Sequence, residues 1–203
     1  NTLSLHDALP ISGGNDNFPV TLTGDADITI GSASITNNGL PKRLQLDGSS
    51  PNNVVTGVIS DSSTAILGAQ VSLIKSGGST WHLKGNNTYT GDTTITGGTL
   101  KLDFPCLNDD STLRVTGTLD LPHNQQDTVK SLFINGTEMP PGIYRSDANP
   151  GEGTEVPEIT GNGTLLVLTG PSADPFDAWA QQKITSIDPL ADATPAGDPD
   201  GDG

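Results

Sequence analysis

Between Val20 and Gly170 apolar and polar residues alternate in short runs, each closed by Gly, Asn, Asp or Pro: "VTLTG", "DITIG", "RLQLDG", "NNVVTGVIS", "AQVSLIKSGG", "STWHLKG", "TTITGG", "TLKLD", "STLRVTGTLDL", "SLFING" and "GTLLVLTG". Apolar residues at i and i+2 share one face of a strand, so each run predicts a half-buried strand. In "TLKLD" Leu100 and Leu102 face one way and Lys101 the other. Ile95 is odd and Leu100 even, so Gly97-Gly98 between them predicts a turn or bulge where the parity shifts. A unit of Thr, Leu, any residue, then Leu or Val recurs at 99–102, 112–115, 118–121 and 164–167. Repeats of short strands predict stacked units whose inward Leu, Ile and Val share one core, an all-β solenoid, with a β-sandwich as the alternative.

The pattern changes after Gly170. In "ADPFDAWAQQKI" Asp174 suits an N-cap and Pro175 the first helical position, while Phe176, Trp179 and Ala180 share a face, which predicts a short helix within 171–187. Residues 188–203 are Pro, Gly, Ala and Asp with little to bury, and read as an acidic linker. The boundary of the β-region falls near Gly170-Pro171. The opening "NTLSLHDALPIS" has the look of translated adapter sequence, so residues 1–12 are read as a non-native leader and His6 and Asp7 receive no catalytic role. The solenoid is thus expected over 13–170, and the chain reads as a fragment of a longer protein.

Composition narrows the partners. Aromatics are 4% of the chain, while 25 Gly and 15 Pro suit many short strands joined by turns. Net charge is −15, and residues 147–203 hold 11 acids against one base. Such a surface repels phosphate backbones, which argues against nucleic acid. No apolar run is long enough to span a bilayer. Cys106 is the single cysteine, which rules out an internal disulfide.

Residues 81–103, "WHLKGNNTYTGDTTITGGTLKLD", resemble the autotransporter-associated β-strand repeat: a strand, "NTYTG", "TTI", "GGTL" and a second strand. The likeness runs from Gly77 to Asp103, and rests on Asn87, Thr88, Tyr89, Thr90, Gly91, Thr94, Gly97, Gly98 and Leu100. The segments "VKSLFINGTEMPPGIYRSD" and "ITGNGTLLVLTGPSADPFDAWA" are similar to the C-terminal end of such passengers. The resemblance implies a right-handed parallel β-helix in a secreted, cell-surface or outer-membrane bacterial protein.

Chemistry is sparse. Asp25 and Asp27 would share one strand face, where a carboxylate pair suits glycoside cleavage, but turn or surface acids are the simpler reading. His82 and His123 lack a nearby nucleophile or ligand spacing, and Asp109-Asp110 lie on a turn. Trp81 and Tyr89 are candidate glycan contacts, because flat aromatic faces meet sugar rings, although Trp81 shares parity with Leu83. Asp198, Asp200 and Asp202, followed by Gly203, match the start of a calcium loop, in which alternating carboxylates converge on a hard cation. Calcium is therefore expected only in a longer parent chain, and no other cofactor is. The expected function is a non-enzymatic segment that presents a surface, with an adhesive role toward glycans or other cell-surface proteins. The alternative is a carbohydrate-binding or carbohydrate-active β-helix.

Overall fold

The computed structural model describes residues 3–5, 9–12, 20–23, 25, 27–30, 33–36, 42–61 and 70–171. Residues 1–170 form one compact unit and 171–203 a second. The helix expected within 171–187, the acidic linker at 188–203 and the acids Asp198, Asp200 and Asp202 all lie outside the described residues, as do His6 and Asp7.

The described residues are all-β. One seven-stranded sheet runs, in order, through Leu3–Leu5, Ile28–Ile30, Asn53–Val55, Thr80–Leu83, Thr99–Leu102, Thr118–Leu121 and Ile159–Gly161. A second takes Val20–Thr23, Lys42–Asp47, Val71–Lys75, Thr93–Ile95, Thr112–Val115 and Ser131–Ile134, and ends on Thr137–Glu138. A third holds Leu9–Ser12, Ala33–Thr36 and Ile59–Ser60, and a bridge from Ser60 to Thr88 carries it one rung further. The chain visits the first and second sheets in turn, and as far as Thr88 each circuit also passes through the third. Among the described residues 15 of 17 strand pairings are parallel. That is the stacking of a β-solenoid and not the antiparallel pairing of the alternative sandwich.

Register gives the rung length. Trp81 opposes Leu100 and Leu100 opposes Leu119, steps of 19 residues (100 − 81 and 119 − 100). In the second sheet Leu73, Thr93 and Leu113 are 20 apart (93 − 73 and 113 − 93). The earlier rungs are longer: Leu44 to Leu73 takes 29 (73 − 44) and Leu22 to Leu46 takes 24 (46 − 22).

Alternation then builds the core. Trp81, Leu100, Leu119 and Ile159 form one inward column. Leu44, Leu73, Leu113 and Leu132, interrupted only by Thr93, form another. Full burial of each such side chain contributes about 1.5–3 kcal/mol. Gly97-Gly98 sit where the parity shift placed them, in the turn that passes the chain from the second sheet to the first.

At the C-terminal side two antiparallel pairs join the parallel ones. Asn135 (φ 50°) and Gly136 (φ 83°) turn the chain so that Thr137–Glu138 pairs antiparallel with Ser131–Ile134. Gly142–Arg145 likewise pairs antiparallel with Thr164–Val167, in a fourth sheet that also includes Gln126–Val129 and Thr154–Glu155. Both antiparallel strands cover edges that would otherwise continue the stack.

Candidate functional site

The segment 73–102, which runs through four successive strands from Val71–Lys75 to Thr99–Leu102, carries the signature residues, and its two kinds of turn bond in different ways. At the turn from the first sheet to the second, side chains bond to the rung before. Asn87 Oδ1 accepts from the Ile59 N–H (2.8 Å), and Thr88 donates its N–H to the Ile59 carbonyl (2.9 Å). Thr90 gives its N–H (3.2 Å) and hydroxyl (2.6 Å) to Asp61, whose carboxylate also takes the Val71 N–H (2.7 Å). Gly91 donates to the Val71 carbonyl (2.9 Å), and a Cβ there would strike that same backbone.

The next rungs repeat the device. Asn87 Nδ2 reaches Cys106 Sγ (3.6 Å), and Asp127 takes the N–H groups of Cys106 (3.0 Å) and Leu107 (3.2 Å). Each inward polar group thereby meets a backbone group that a strand ladder leaves open. Burial raises the Cys106 thiol to about 11, so it is a protonated, structural group.

The opposite turns stack on one another. Ser76 and Ser79 donate to the Leu46 and Gly48 carbonyls, Thr96 and Thr99 to those of Lys75 and Ser79, and Thr116 and Thr118 to those of Ile95 and Gly98. Inside this stack lies Lys75, 0% exposed, where parity with Val71 and Leu73 turns it inward. Its ammonium donates to the carbonyls of Ser76 (2.5 Å), Gly97 (3.0 Å) and Gly77 (3.3 Å). Burial pushes its pKa down to about 8, against the opposing pull of the Asp47 carboxylate. The same period-2 argument applied to "VSLIK" would have found it.

The two aromatic glycan candidates require correction. Trp81 is 0% exposed and donates Nε1–H to the Asp47 carbonyl (2.9 Å), while Tyr89 is 1% exposed with its hydroxyl on Thr93 (2.9 Å). Neither offers a face to a sugar, because both fill the core across a chain poor in other large side chains. Leu100 is buried beside Trp81, and Thr94 lies half-buried on the outer face between Ile74 and Arg114. Asp25 and Asp27 are held by the hydroxyls of Ser49 and Ser50 on the next rung, as turn acids. Asp109 and Asp110 are exposed. His123 is partly buried, and that burial pushes its pKa down.

A cluster that spacing along the chain did not reveal lies on the outer face of the first sheet. His82 Nε2 meets Asp103 at 2.6 Å, and Lys101 Nζ meets Asp120 at 3.2 Å. These partners are 21 and 19 residues apart, so only the rung length brings them together. Among the described residues no three His, Cys, Asp or Glu side chains converge to hold a metal ion.

No curated protein and no solved structure matches the chain. Residues 73–102, from the strand that carries Lys75 to the end of Thr99–Leu102, match the family model of the passenger-associated-transport-repeat, and this likeness supports an autotransporter passenger repeat protein.

Proposed function

We propose that the chain is a non-enzymatic segment of an exported bacterial passenger, which extends and presents a surface at the cell exterior or outer membrane. The observation that carries this reading is that the matched repeat, 73–102, falls where the stack is regular, with register steps of 19 or 20 residues against 24 to 29 in the rungs before it. Regular rungs stack a rigid rod whose outer faces are free for contact, which suits display. The coil is taken as right-handed, the hand of nearly all parallel crossover connections. Its adhesive role is directed at surface glycans or cell-surface proteins.

The test fuses the 203-residue chain to an outer-membrane translocator and treats intact cells with protease. Release of the chain from the cell exterior is the expected result. Retention inside the cell, with the translocator correctly inserted, would remove the proposal. Turnover in a reducing-sugar assay over neutral and acidic polysaccharides would remove its non-enzymatic part.

A further inference from the structure

The outer face of the first sheet carries polar side chains in register. Val54, His82, Lys101, Asp120 and Thr160 form one column, and Thr80, Thr99 and Thr118 the next. Over them lies an open groove of about 420 Å³, with Pro51 and Val54 at one end and His82, Lys101 and Asp120 along it. The side chains of His82 and Asp120 are 21% exposed and those of Asp103 and Lys101 33%, so all four are held yet reachable.

We propose that this groove binds a neutral, hydroxyl-rich glycan chain lying across the rungs. Charge selects the class. Lys101 is paired with Asp120 and His82 with Asp103, so the face gives charge-assisted hydrogen bonds without a net field to draw a polyanion, and the whole chain, at −15, repels one. Geometry selects the shape. Donors and acceptors recur at the strand spacing of about 4.8 Å, close to the length of one pyranose ring. The threonine column adds hydroxyls that both donate and accept. Pro51 and Val54 supply an apolar floor for the C–H face of a ring, and the pattern of a few fixed polar groups beside an apolar patch is that of a ligand site. Asp103 holds His82 through Nε2, which turns the other ring nitrogen, Nδ1, to a sugar hydroxyl, a group able both to donate and to accept. All of these groups stand on or beside strands, where their positions are fixed by the ladder.

The proposal deepens the passenger reading by giving its surface a partner class. Display is tested on cells and binding on the purified chain, so the two fail separately. Cellohexaose, xylohexaose and mannohexaose are titrated into the ¹⁵N-labelled 203-residue chain, with polygalacturonate as the anionic probe. At least one neutral hexasaccharide is expected to shift amides at residues 52–54, 80–82 and 99–101. Lys101→Ala and Asp120→Asn should each weaken that binding about tenfold, through loss of one charge-assisted contact. Arg114→Ala, on the outer face of the second sheet, should leave it unchanged, and retained spectra of all three variants show that folding is intact. Shifts caused by polygalacturonate alone, shifts centred on Asn124, Gln125 and Asn162, an equal effect of Arg114→Ala, or no shift with any hexasaccharide would each overturn the proposal.

Discussion

Asp127 accepts three backbone N–H groups, from Cys106, Leu107 and Thr128, yet its 3% exposure raises its pKa from 3.8 to about 6. Desolvation outweighs the hydrogen bonds, so the protonated form is favoured in the folded chain. Because the folded pKa lies above the unfolded one, its contribution to stability is full below pH 3.8 and is lost as pH rises through about 6. A shift of that size corresponds to at most about 3 kcal/mol. Asp127→Asn loses the acceptor for Thr128 but does not titrate. Urea denaturation should therefore show the stability gap moving toward the variant by up to about 3 kcal/mol between about pH 3.5 and 7. A gap that stays constant would contradict this account. Trp81 was legible from its parity with Leu83, since alternation encodes sidedness. Tyr89 was not, because it lies outside any strand and its orientation is set by the Asn87 and Thr90 bonds to the preceding rung. The His82–Asp103 contact escaped for a related reason: it joins residues in neighbouring rungs, and no local pattern marks it.

Glycines in successive stacked turns are not equivalent. Gly98 has φ +62°, and a Cβ on it would meet the carbonyls of Ser79 and Gly77 and the Lys75 ammonium. Gly78, one rung earlier, has open space where a Cβ would lie. Gly98→Ala should thus cost about 1–3 kcal/mol through strain and displacement of Lys75. Gly78→Ala should be neutral or stabilise by up to about 1 kcal/mol, through a less flexible unfolded chain. Thermal denaturation of the two variants side by side gives the comparison, and equal losses would refute the assignment. The turn at Gly97-Gly98 was legible from the parity shift between Ile95 and Leu100. Which glycine is indispensable was not, because the sign of φ and the approach of the neighbouring turn are properties of the stack.

The rung length was hidden in the sequence by its own repeat. The Thr-Leu unit begins at Thr99, Thr112, Thr118 and Thr164, but those strands belong alternately to the first and second sheets and finally to the fourth. Only Thr99 and Thr118 are true rung equivalents, 19 apart (118 − 99). A tandem copy of residues 100–118 should therefore insert one whole rung. Its far-UV circular dichroism should remain that of a β protein, and its urea m value should rise with the added buried surface. Aggregation or an unchanged m value would show that the register is not modular. The same ladder fixes how the molecule responds to force. Rungs are joined by hydrogen bonds that run along the stacking direction, so a pull between the ends of the stack loads them in series, one rung after another. Each freed rung of 19 residues releases about 60 Å of chain. A single-molecule extension trace across residues 80–134 should show even steps of that length, which would make the rod a graded tether that yields in small increments under shear.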